Sequence, residues 1–353
     1  DFRSERNILG AYGEASFDYG NYIFLTLSGR NDWGSNVEQD NRSIFYPGAS
    51  LAFVPTSLDG FGSNGALNFL KLRAGYGTSA RFPGLYGTRA TLSTVPNAFV
   101  RPDGSSTTIN SLPTTSPNPD LAPELQREFE LGVEAELFKR RLTLDATVYK
   151  RTIEDQIVLR PVNPSTGFSF INDNIAESEI RGVELGLDFV PIQTENFTWS
   201  VRNNFTAYEN EVIDIGDIEA FAFAGFTNLG NFASEGEPLG VIKGSYAARY
   251  NPSAISDTNP LGISNEGLLL INPDDGKIID SSTLELEDQI LTVGDPNPDW
   301  NATTINTFTY RGLSLSAQVE YQHGGDIYSQ TASQYYRRGV TEVNVNNREG
   351  SYV

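Results

Sequence analysis

The stretch ELQREFELGVEAELFKRRLTLDATVYKR, residues Glu124 to Arg151, decides the fold. Leu125, Arg127, Phe129, Leu131, Val133, Ala135 and Leu137 take the odd positions. Gln126, Glu128, Glu130, Gly132, Glu134 and Glu136 take the even ones. Side chains alternate across a strand, so one face is almost wholly apolar and the other carries four carboxylates. After a turn at Lys139-Arg140 the alternation resumes, with Leu142, Leu144, Ala146 and Val148 set against Thr143, Asp145, Thr147 and Tyr149. Each arm has the roughly 9–11 residues that a tilted strand needs to cross a bilayer. A half-buried sheet and a barrel with lipid outside and water inside both fit this hairpin.

The same pattern recurs outward in both directions. Ile8–Tyr19 and Tyr22–Asp32 alternate around Gly20-Asn21, a minimal hairpin turn. Further strands are expected at Tyr46–Val54, Leu67–Ser79, Ile180–Val190, Phe197–Tyr208, Ala302–Tyr310 and Leu313–Gln322. Short connections fall at Gly20, Pro55–Gly65, Lys139, Pro191–Glu195 and Arg311-Gly312. Long ones follow Asp32, Ser79, Arg151 and Tyr208. Outer-membrane barrels sort their loops this way, with short periplasmic turns and long extracellular loops. Tyr19, Tyr22, Phe138, Phe189, Phe197, Trp199 and Tyr310 gather near the short turns, where an interfacial aromatic girdle belongs. The pattern therefore favours an all-β fold: a transmembrane antiparallel β-barrel. Residues 80–123, rich in Pro, Ser and Thr, are expected as a long extracellular loop, 152–174 as a loop and 324–353 as a polar extracellular loop. Residues 209–300 leave an outward strand and return to an inward one, so they contain an even number of spans. Zero is the simplest number, which makes them an extracellular excursion with its own β pairing. Ser256 and Ser281 would then be open to the outside.

Composition excludes several alternatives. Among 353 residues, 45 are acidic and 25 basic, a net charge of -20 that argues against nucleic acid as a partner. Cysteine is absent, so neither disulfides nor thiolate metal sites are possible. Mean hydropathy is -0.32 and no apolar run approaches ~18 residues, so helical spans are not expected. Asp1–Arg6 lacks the apolar core of a signal peptide, so a chain starting this way is expected to be either cytoplasmic or an internal piece of something larger.

Several phrases resemble one family. They are Arg30-Asn31-Asp32, Phe45–Ser50, Leu70–Gly77, Asn118-Pro119-Asp120-Leu121 and Glu179–Glu184, followed by Gly236-Glu237-Pro238-Leu239-Gly240, Gly294–Asp299 and Gly324-Gly325-Asp326-Ile327-Tyr328. In this order they look like SusC/RagA-like TonB-dependent transporters of the Bacteroidota outer membrane. The resemblance implies that 1–353 is part of the barrel domain, about ten strands of a barrel of about 22. The plug, the TonB box and the closing strands would lie outside this stretch. It also implies active import of oligosaccharides or peptides, a SusD-like surface lipoprotein as lid, TonB-ExbB-ExbD acting through the plug, and outer-membrane lipids around the wall. A siderophore or cobalamin receptor, or a barrel scaffold in a secretion or motility assembly, are the alternatives.

Glu128, Glu130, Glu134 and Glu136 could be read as paired catalytic carboxylates, but a polar, lumen-facing wall explains them better. No enzyme, cofactor or metal site is expected. His323 stands alone, and Asn272–Asp280 fails the calcium-loop register at Ile271 and Pro273. Candidate substrate-binding residues are Arg81, Phe82 and Tyr86 in the first long loop, Phe221, Phe223 and Phe226 in the excursion, and Tyr335 and Tyr336 in the tail. Aromatic faces stack on sugar rings, and Arg reads carboxylates and peptide carbonyls.

Overall fold

The computed structural model describes residues 4–61, 66–102, 104–218, 220–226, 229–256, 261–264, 267–273, 276, 278–281 and 290–338. The chain forms two compact units. The first holds a sheet in which ten strands follow one another. They are β1 (Ile8–Tyr19), β2 (Ile23–Gly34), β3 (Ser43–Phe53), β4 (Leu67–Arg81), β5 (Glu124–Leu137), β6 (Leu142–Pro161), β7 (Phe170–Gln193), β8 (Phe197–Asp214), β9 (Pro298–Tyr310) and β10 (Leu313–Gly324). Each pairs with the next in sequence, and β4 pairs with β5 across the 82–123 connection. The pairings are antiparallel, so the turns after β1, β5, β7 and β9 share one end with the 54–66 connection, and the connections 35–42, 82–123, 162–169 and 215–297 lie at the other.

Register turns the alternation into rows. Leu72, Val133, Ala146, Leu185, Phe205 and Ala302 are successive partners across six strands. The adjacent polar row runs Lys71, Glu134, Asp145, Gly186 and Asn204. Leu131 and Val148 are about half exposed although they lie mid-sheet. An apolar face this extensive, covered by no second layer among the described residues, needs an apolar medium. Polar residues interrupt that face at Asn203, Thr304 and Asn306, where the Trp199 indole donates to Asn306 (3.1 Å).

Aromatic rings mark both ends of the wall. Tyr19, Tyr22 and Phe53 meet edge to face at 5.5 and 6.5 Å, and Trp199 stacks on Phe308 at 5.8 Å. At the other end, Trp300 lies 5.9 Å from Phe205 and 5.2 Å from Tyr321. Trp199 and Phe205 are about 20 Å apart along β8 at ~3.3 Å per residue, close to the ~25 Å height of an outer-membrane apolar band. The turns suit the twist: Arg311-Gly312 takes positive φ at both residues of a two-residue hairpin, and Gly20-Asn21 does so at the centre of the Tyr19–Tyr22 turn.

The sheet corrects several expected boundaries. Residues 152–174 are not mainly loop, because β6 continues to Pro161 and β7 starts at Phe170. Asp155 has φ 54, and the β6–β7 register shifts twice between Asn174 and Ser178. These bulges break the alternation that marks a strand in sequence. The 80–123 connection contains a hairpin, Ser93–Val100 with Ser106–Ser111, and Thr115–Ser116 pairs in parallel with Phe170–Ile171. The tail includes a helix, Gln330–Arg337.

The second unit carries most of the 209–300 stretch. Ala220–Phe226, Leu229–Ser234, Val241–Gly244 and Leu291–Gly294 form a four-stranded sheet. Arg249–Tyr250, Ile263–Ser264 and Leu268–Leu269 form a three-stranded one. Tyr246, Ala248 and Ile263 make a small core. Ser281 is fully buried and accepts a hydrogen bond from the Tyr246 N–H, so its expected exposure is wrong; Ser256 is exposed.

Candidate functional site

The polar face of the wall is a network of cross-strand ion pairs. Arg73 of β4 reaches Glu134 at 2.7 Å and Asp145 at 2.6 Å, and Lys71 reaches Glu134 at 3.0 Å. The Arg73 guanidinium crosses the backbone of Gly132, whose missing side chain leaves the room. Gly182 does the same for the Tyr149 ring. Glu128 pairs with Arg151 at 2.5 Å and Glu136 with Arg140 at 2.8 Å, while Glu130 lies over Gly75. All four glutamates thus share the polar face, and each of the three paired ones has a cation beside it. Acid–base chemistry by two carboxylates needs them placed about one substrate atom, whereas these are spread along a strand and engaged with Arg and Lys. The sequence reading missed Lys71 and Arg73 as their partners, since β4 and β5 meet only after a long loop closes.

The first long loop is tied back at its base. Leu121 is buried, Asn118 donates to the Asn172 carbonyl (2.9 Å), and Asn41 donates to the Asp120 carbonyl (2.8 Å). The Asn118-Pro119-Asp120-Leu121 phrase is therefore a clamp on the returning loop. Arg89 grips Glu38 through both oxygens at 2.7 Å, and this bond, helped by Thr88, holds the Glu38 carboxyl down at about 2.

The candidate binding residues fare differently. Arg81 is well exposed, with Glu124 at 3.9 Å, and Tyr86 is exposed with positive φ. Phe82 is buried at 8 % exposure, its ring beside Gly34. It packs the loop base and is withdrawn from any binding surface, because Gly34 offers a pocket that the ring fills. In the second unit Phe223 and Tyr335 are exposed and Phe221 is half-buried. The side chains of Phe226 and Tyr336, and residues Glu219, Asp274, Asp275 and Lys277 of the excursion, lie outside the described residues.

Three quoted phrases converge in the second unit. The Asp326 N–H donates to the Asp295 carbonyl (2.6 Å), and its carboxylate accepts from the Asp295 N–H (3.0 Å). Asn297 donates to the Leu239 carbonyl (3.1 Å), joining Gly294–Asp299 to Gly236–Gly240. Gly240 sits close to Pro296 and Phe223.

A single-layer antiparallel wall with an apolar face, an ion-paired polar face, aromatic ends and its two longest connections at one end belongs to the class of outer-membrane β-barrels. Comparison with known proteins gives the family. A family model described as "TonB dependent receptor-like, beta-barrel" matches residues 1–352, and the chain belongs to that family. TonB-dependent receptor P39 of Formosa agariphila is 27% identical over 90% of this chain and 33% of its own. TonB-dependent receptor SusC of Bacteroides thetaiotaomicron is 27% identical over 59% of this chain and 21% of its own. Among solved structures, the RagAB peptide transporter superposes with a TM-score of 0.71 at 21% identity, over 90% of this chain and 34% of that one, a likeness of fold. This chain spans about a third of the length of P39. Its stretch of antiparallel wall is similar in sequence to part of SusC and in fold to part of the RagAB peptide transporter.

Proposed function

We propose that the intact protein imports oligomeric nutrients, glycans or peptides, across the outer membrane with energy from TonB. The wall's polar face lines the lumen, and the ion pairs around Arg73 keep that face water-compatible without leaving bare charge. Residues 80–123, 209–300 and 324–353 stand on the extracellular side and receive the substrate. A SusD-like lipoprotein closes over them, and TonB-ExbB-ExbD acts through a plug carried elsewhere in the intact protein. No catalytic step is assigned to it. The observation that carries this reading is that the two longest connections, 82–123 and 215–297, leave the same end of a wall with one apolar and one ion-paired face. The names of SusC and of the RagAB peptide transporter support it.

Uptake of fluorescent oligosaccharides and peptides by cells with and without the intact protein tests the reading. Uptake that needs the protein and stops with a protonophore is expected. Uptake that is unchanged without the protein, or that persists with the protonophore, contradicts it.

A further inference from the structure

The second unit holds a cavity of about 410 Å³, within the ~300–1,000 Å³ range of small-molecule sites. Leu229, Ile242 and Pro296 give it an apolar side. Tyr328 adds an aromatic ring, and Asn231, Asp326 and Gln330 add planar polar groups. Among the described residues, no Lys or Arg lines it.

Its parts are fixed rather than loose. Asp326 is held by its two hydrogen bonds with the Asp295 backbone. Asn231 donates to the Gly240 carbonyl (2.9 Å), which orients its amide. Ser329 accepts from the Ala332 N–H (3.2 Å), capping the helix that begins at Gln330. Ile327 and Tyr328 nevertheless stay open, at 90% and 48% exposure. Exposed phenylalanine Phe223 and the lining residue Pro296 both lie close to Gly240.

This combination has a chemical meaning. A pyranose ring presents an apolar C–H face and an edge of neighbouring hydroxyls. An aromatic ring takes the face. Carboxylate and amide side chains, each with two polar atoms in a plane, take hydroxyl pairs as donors and acceptors. A uronate would bring its own carboxylate to Asp326, and among the described lining residues none is a cation to receive it, so like charges would oppose binding. We propose that this cavity is a subsite for one residue of a neutral oligosaccharide. The proposal rests on the import reading above and narrows its substrate to uncharged glycans.

The test uses the purified intact transporter and titration calorimetry. The probes are neutral hexasaccharides of β-1,4-glucan, β-1,4-mannan, β-1,4-xylan and α-1,4-glucan, with hexagalacturonate and a mixed pentapeptide pool beside them. At least one neutral probe should bind more tightly than hexagalacturonate and the peptides. For that probe, Tyr328→Ala should raise Kd about ten-fold, the size of one well-stacked aromatic contact. Tyr328→Trp should stay within about two-fold, and Gln330→Ala, at an exposed helix start, should weaken binding without disturbing folding. Asp326→Asn keeps an acceptor for Asp295 and should narrow the gap between hexagalacturonate and the neutral probe. Equal affinity of wild type, Tyr328→Ala and Gln330→Ala for the neutral probe overturns the subsite. Preference for hexagalacturonate or peptides, or no binding of any neutral probe, overturns the substrate class; protonophore-sensitive peptide uptake in cells would then leave the import reading standing.

Discussion

At the scale of single residues, the wall depends on which side of the sheet a charge falls. Val133 and Glu134 are neighbours in sequence but lie in opposite rows. Val133→Arg places a cation in the apolar band, at a cost of up to about 2–4 kcal/mol near the midplane. Its folded fraction in urea titrations of the reconstituted protein should fall accordingly. Glu134→Gln should fold nearly as well as wild type, because Asp145 still faces Arg73. Glu134→Arg is a poorer control, since it would set a third cation beside Lys71 and Arg73. Glu38 gives a second residue-level expectation. Its carboxyl, held at about 2 by Arg89, stays ionised in the folded loop well below the usual glutamate value of 4.5. A depressed pKa contributes stability above the unfolded value, and that contribution is lost as pH falls from 4.5 through about 2. Amide exchange around residues 85–90 should quicken across that window, and Arg89→Ala should abolish the pH dependence. The glutamate face was legible in sequence because alternation alone defines a face. Its partners were not, since pairing Lys71 and Arg73 with Glu134 requires the β4–β5 register.

Among elements, the hairpins read correctly wherever an apolar face ran unbroken. Reading failed beyond the apolar band. From Thr152 to Pro161 and from Phe170 to Glu179 apolar and polar residues stop alternating, with Ile157, Val158 and Leu159 in a row, and bulges shift the phase. The alternation then carries no signal, although the backbone ladder continues. The 80–123 loop shows the same limit: Pro and Ser suggested irregular chain, yet a hairpin and a clamp order it. Two outcomes follow for this element. Replacing Ser93–Ser111 with a short Gly/Ser link should leave the wall folded, because the clamp begins at Asn118, and should reduce substrate uptake or lid docking. Unchanged uptake and docking would remove this loop from the extracellular chamber. Leu121→Ala leaves a cavity in the clamp, and local stability should fall by about 2–5 kcal/mol, read by exchange at residues 118–122. Phe82 adds a lesson here: an aromatic in a long loop packs the loop base when a glycine opposite leaves it space.

For the whole molecule, the strand order and the turn parity together set an orientation. We propose that the short turns face the periplasm and that residues 209–300 lie outside. Single cysteines at Ser256 and Leu261, both exposed, should label in intact cells with an impermeant reagent. Ser281 is unsuitable because it is buried within the small sheets. The central claim is that one face of this wall meets lipid and the other meets water. A nitroxide scan of positions 126 to 137 in the intact, reconstituted protein tests it most directly. Accessibility to oxygen should peak at Phe129, Leu131, Val133 and Ala135, and accessibility to a water-soluble nickel chelate should peak at Glu128, Glu130, Glu134 and Glu136. A flat profile, or one in which both reagents favour the same positions, would contradict the account.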